Sequence, residues 1–174
     1  MGLKSNALIG MASQHMKDYR FSQDEAIEVG MTPEDTGVII LIILYFIEHE
    51  PTICRSKLEY YLLLLDRKCF EQTDVLLFSW YLKNGRIRNF KRFIEFMIRR
   101  KLISLKGYSF ELTKAGHDLG IFFPELINIK YWMDELLRDF HLKNAKQTAA
   151  EAVKTKLSQQ YLDALDNVRK LLGL

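Results

Sequence analysis

From Val38 to Ile47 the chain reads VIILIILYFI, ten apolar or aromatic residues without a polar interruption. That is about half the length a membrane crossing needs, and it is too continuous for the half-wet face of a surface helix. Thr32 is placed to cap such a segment and Pro33 suits a first helical turn. Glu34 and Asp35 complement the positive end of the helix dipole. A buried helix is therefore predicted from Pro33 to about Glu48, before Pro51 stops it.

Further along, Leu58, Tyr61, Leu62 and Leu65 recur at helical spacing and predict a second helix, from Ile53–Ser56 to about Lys68. Leu76 to Leu82 (LLFSWYL) is rich in aromatics and bounded by Asp74 and Asn84-Gly85, which reads as a strand. Ile87, Phe90, Ile94 and Met97 then form one apolar stripe, with Arg88, Arg92, Glu95 and Arg99 on the opposite side. This is an amphipathic helix from about Arg86 to Lys101. Leu102 to Leu105 and Tyr108 to Leu112 alternate around Lys106-Gly107, a hairpin signal. Thr113 is a cap for a short turn, Lys114 to Leu119, which Gly120 ends. Pro124 opens a helix with apolar positions Leu126, Ile129, Trp132, Met133, Leu136, Leu137 and Phe140. From about Lys146 a last helix carries one seam: Val153, Leu157, Tyr161, Leu165, Val168 and Leu172.

Helix, helix, strand, basic helix and hairpin is the order of a winged helix, with the strand expected to pair with the hairpin. The predicted class is mainly α with a small antiparallel sheet: an N-terminal arm over 1–30, a winged-helix domain over 31–120 and C-terminal helices over 121–174. Ser22 and Glu25 in the arm resemble a capping box. The C-terminal seam is too long to leave in water and is expected to pack against a second copy, as a homodimer. Folding back over Trp132 and Phe140 is the alternative.

Charge changes the picture in one place. Lys83 to Lys106 holds nine basic residues and one acid, a local balance of +8 against +3 for the whole chain, so the remainder stands at −5. Basicity confined to one helix and hairpin is the electrostatic footprint of a phosphate-binding surface. The expected partner is double-stranded DNA, and the function that of a transcription regulator. In a major-groove docking Arg86, Arg88, Asn89 and Arg92 would approach base edges, since arginine pairs with guanine and asparagine with adenine. Lys91, Arg99, Arg100, Lys101 and Lys106 complete the DNA-binding set, the last four as phosphate contacts that add salt-dependent affinity.

Candidate chemistry is sparse. No P-loop, dinucleotide fingerprint, Gly-x-Ser-x-Gly or His-Glu-x-x-His pattern occurs, so an enzyme is not expected. His117 beside Asp118 reads as a surface histidine near a cap. Cys54 and Cys69, about 22 Å apart along one helix, are too far for a disulfide and suit small core positions. The four histidines share no ligand spacing with them, so no metal or cofactor is expected. The aromatic cluster Phe90, Phe93 and Phe96 suits a core better than base stacking. No signal-peptide pattern opens the chain, and a cytoplasmic, non-membrane protein is the expectation.

Three stretches, RSKLEYYLLLLD (Arg55 to Asp66), FSWYLKNGR (Phe78 to Arg86) and KLISLKGYSFELTKAG (Lys101 to Gly116), resemble the Panacea domain family and the related YwgA-like proteins. The family's Gly-Pro pair after the strand is absent, because Gly85 is followed by Arg86. The ending Leu112, Thr113 and Gly116 also closes the wing of many MarR-like and PadR-like winged helices. Panacea domains are regarded as antitoxin modules, so the resemblance implies an alternative: a module that binds a partner protein and no nucleic acid.

Overall fold

The computed structural model describes residues 19–50, 52–73, 82–83, 86–87, 89–120 and 127–141, with 163, 166, 167 and 170 further on. Its helices and strands are α1 (Gln23–Glu28), α2 (Pro33–His49), α3 (Arg55–Thr73), β1 (Leu82–Lys83), β2 (Arg86–Ile87), α4 (Phe90–Arg99), β3 (Ile103–Lys106), β4 (Ser109–Leu112), α5 (Lys114–Leu119) and α6 (Ile127–His141). The fold is mainly α with small antiparallel ladders, β1 with β2 and β3 with β4.

The core is built on α2. Thr32 accepts a hydrogen bond from the Asp35 amide at 3.2 Å, Pro33 occupies the first turn, and every residue from Asp35 to Ile47 is buried. Local signals start this helix and its apolar run gives neighbouring elements a face to cover. α3 covers one side, with Tyr61 stacked on Phe46 at a centroid distance of 5.0 Å. α6 closes over both helices: Ile129, Met133 and Leu137 are buried, the Tyr45 hydroxyl donates to Asp134, and Lys68 meets Glu135 at 2.9 Å. Burial and the Asp134 carboxylate raise the Tyr45 hydroxyl well above its usual range. At the end of α2, buried Glu50 accepts from Lys57 Nζ at 2.7 Å and from the Tyr61 hydroxyl at 3.1 Å. A buried carboxylate with these donors is held by charge-assisted bonds and not left to desolvation. Among the described residues no helix is long and apolar enough to cross a membrane.

Three local expectations are corrected. The basic helix begins at Phe90 and not at Arg86, because Arg86 and Ile87 are extended and pair with Lys83 and Leu82. The reason is long-range: the Ile87 amide donates to buried Glu59 at 3.3 Å, and the Ile87 side chain is itself buried. Second, the extended segment runs on to Lys83, and its described end pairs with β2 through Leu82 and Lys83; residues 76–81, and with them the expected pairing of this strand with the hairpin, lie outside those described. The hairpin takes its third partner from the approach to α3, where Cys54 bridges Ser109 and the Phe110 amide donates to the Ile53 carbonyl at 2.9 Å. Third, the hairpin turns at Gly107-Tyr108, one residue later than expected, since Lys106 pairs with Ser109. Gly107 has φ +64°, the left-handed backbone that a two-residue hairpin turn asks of its first central residue.

Helix α2, the single bridging residue Cys54, α3, the β1–β2 ladder, α4 and the β3–β4 hairpin, called the wing below, follow one another along the chain. Cys69 is buried as expected, but Cys54 is partly exposed, and both are free thiols. Burial pushes the Cys54 thiol up, yet the Ser56 hydroxyl and backbone hydrogen bonds at the start of α3 outweigh it and hold the thiol below its ordinary value. At Cys69 burial prevails and pushes the thiol up. Iodoacetamide at neutral pH is expected to alkylate Cys54 roughly tenfold faster than Cys69 or more, because the thiolate is the reactive form. Peptide mass spectrometry over a time course reads both rates, and equal rates would contradict this ordering.

Candidate nucleic-acid interface

Helix α4 (FKRFIEFMIR) is strongly amphipathic. Phe90, Phe93, Ile94, Phe96 and Met97 are buried, which makes the phenylalanine cluster core. Lys91, Arg92, Glu95, Ile98 and Arg99 face solvent. The helix ends in a Schellman motif: the Leu102 amide donates to Met97 O at 2.9 Å and the Lys101 amide to Ile98 O at 3.0 Å. Lys101 occupies the left-handed position of that motif with φ +59°.

The wing is seated on this helix end by the Leu112-Thr113-x-x-Gly116 sequence. The Thr113 hydroxyl accepts from the Gly116 amide at 3.1 Å, capping α5, and reaches the Leu102 carbonyl at 3.0 Å. The Thr113 amide donates to that same carbonyl. At the wing tip Tyr108 is 93% exposed, and Leu105 is also exposed.

The nine residues singled out from sequence, eight cations and Asn89, are placed differently from one another. Arg86 lies in β2, and Arg88 is outside the described residues. Asn89 is buried, and its side-chain amide donates to the Val29 carbonyl at 3.3 Å, so it is spent inside the protein. Lys91 pairs with Glu95 at 3.6 Å along the helix and Lys106 with Glu111 at 3.5 Å across the wing. Arg92 pairs with Glu28, and Arg99 with Glu25 at 3.3 Å. Arg100 lies over the Phe96 ring at 5.4 Å, and Arg100 and Lys101 are both exposed. The C-terminal seam, Val153, Leu157, Tyr161, Leu165, Val168 and Leu172, lies outside the described residues.

Glu25 and Glu28 are the site residues that sequence reasoning missed. They come from α1, which is anchored hard against α4. Phe21 is buried and stacks on Phe93 at 4.6 Å, Ala26 and Val29 are buried, and the Phe21 amide donates to the Thr36 hydroxyl at 3.1 Å. The Ser22 and Glu25 capping box forms as its sequence suggested. Between α1 and α4 runs a groove of about 310 Å³ lined by Phe21, Glu25, Glu28, Arg92, Glu95, Phe96 and Arg99. Three carboxylates there face two guanidiniums.

Elsewhere, His117 pairs with Glu48 at 3.2 Å, and among the described residues no three His, Cys, Asp or Glu side chains gather as metal ligands. Comparison with known proteins finds no matching family model, no matching curated protein and no matching solved structure.

Proposed function

We propose that this protein is a winged-helix DNA-binding protein, a cytoplasmic transcription regulator acting as a homodimer, that grips duplex DNA with the end of α4 and the wing. One observation carries the reading: Arg99, Arg100 and Lys101 occupy consecutive exposed positions and lead directly into a wing whose first strand ends at Lys106. Lys101 adds to it. A side chain at a left-handed position costs about 1–2 kcal/mol relative to glycine, so a lysine there is placed at the expense of stability. Lys91 and Arg92, in the first turn of α4, would stand nearest the base edges. Asn89 drops out, because its amide is already used by Val29.

Phosphate contacts displace counterions, so affinity falls with salt at about 0.9 log units per contact per log unit of salt. Contacts from Arg100, Lys101 and Lys106 give an expected contribution of about −3 to the slope from each chain. Fluorescence anisotropy on random-sequence duplex at several salt concentrations tests this, and the saturation point reads two chains per site. Arg100→Ala with Lys101→Ala is expected to weaken all duplexes alike and reduce the slope by about two units per chain. An unchanged slope would remove the end of α4 from the contact surface.

A second reading, an adaptor or antitoxin-like module for an acidic protein, is favoured by one specific observation. Arg92 and Arg99 already hold the carboxylates of a short acidic helix. The resemblance to Panacea domains belongs with this reading. Absence of salt-dependent duplex binding in the same titration would select it.

A further inference from the structure

We infer that α1 is a permanent acidic screen over the basic helix, which sets an upper limit on how tightly α4 binds phosphate. The inference rests on the nucleic-acid reading above. Arg92 and Arg99 stand two turns apart on the solvent side of α4, about 10 Å along the axis. Glu28 and Glu25 meet them in register, one acid to each guanidinium. With Glu95 in the same groove, the surface that should be most attractive to an anion carries more carboxylate than guanidinium.

The screen is not a lid. Phe21, just before α1, packs on the Phe93 and Phe96 rings at 4.6 and 4.8 Å, and the Asn89 side-chain amide donates to the Val29 carbonyl at the other end of α1. Glu25 is doubly fixed: one carboxylate oxygen accepts from the Ser22 amide at 3.1 Å, while the other faces Arg99. A nucleic acid approaching α4 must therefore compete with carboxylates carried by a segment that is anchored against α4. Exposed ion pairs contribute little to folding. Their larger consequence is electrostatic, since each both occupies a cation and sets a negative charge where a phosphate would lie.

The test is Glu25→Gln with Glu28→Gln, measured by anisotropy on the same duplex across a salt series. Glutamine at position 25 keeps the capping box, so the fold is retained, and circular dichroism checks that it is. Freeing two guanidiniums in each chain should raise affinity by about ten- to a hundredfold at 0.1 M salt and steepen the slope by about two units per chain. Glu71→Gln with Asp118→Asn changes net charge equally away from α1 and is expected to have little effect. Duplex binding that appears only in the Glu25→Gln, Glu28→Gln protein also supports the screen. A parent that binds and a variant that binds no better, or a control pair that gains as much, overturns the screen and leaves the DNA reading standing. Failure of both parent and variant to bind overturns the DNA reading itself, and the screen with it.

Discussion

Gly116→Ala is expected to cost about 3 kcal/mol or more, which for a chain of this size lowers the melting temperature by about 6–12 °C. A Cβ at Gly116 would stand 2.1 Å from the Leu102 carbonyl oxygen and 3.1 Å from its carbon. The neighbour is backbone, so no side-chain rotation relieves the clash. That carbonyl also receives the Thr113 amide and hydroxyl, so pushing it away breaks the cap of α5 and moves the start of the wing. Gly120→Ala is the internal control. Its added Cβ would meet nothing closer than a carboxylate oxygen of Glu48 at 3.7 Å, and its backbone is ordinary right-handed helix. This substitution should be neutral or stabilise slightly, by about 0.4–1 kcal/mol. Thermal unfolding of the two variants side by side decides it, and similar melting temperatures would show that Gly116 is not a packing contact.

Phe93→Ala should cost about 3–5 kcal/mol, the range for emptying a fully buried aromatic site. The side chain has no exposed surface and stacks on Phe21 with an interplanar angle of 22°. The loss should be spatially uneven. Phe21 keeps its contact with Phe96 but loses its closest ring, so α1 loosens from α4 before the α2–α3 core does. Hydrogen exchange at the Ala26 amide, which donates to the Ser22 carbonyl at 2.9 Å, should accelerate more than exchange at Ile42 in the middle of α2. Uniform acceleration at both amides would mean that α1 opens only with the whole fold.

Much of this architecture could be read one segment at a time. The start of α2 was legible because Thr32, Pro33, Glu34 and Asp35 act within one turn of themselves. The buried face of α4 was legible because periodicity records which side is apolar whatever covers it. Thr113 and Gly116 marked the wing's end because a cap is also a local device. What could not be read was who stands opposite. Arg86 and Ile87 left the helix because Glu59, 28 residues before Ile87, accepts the Ile87 amide. The wing found a bridging partner at Cys54, and Asn89 turned inward to a carbonyl 60 residues away. Above all, an exposed stripe of arginines looks the same in sequence whether it faces water, phosphate or carboxylate. Glu28 and Glu25 reach Arg92 and Arg99 across 64 and 74 residues. The sequence by itself determined that α4 would have a charged outer face; only tertiary packing, by anchoring Phe21 among Phe93 and Phe96, decided that acids of the same chain would stand against it.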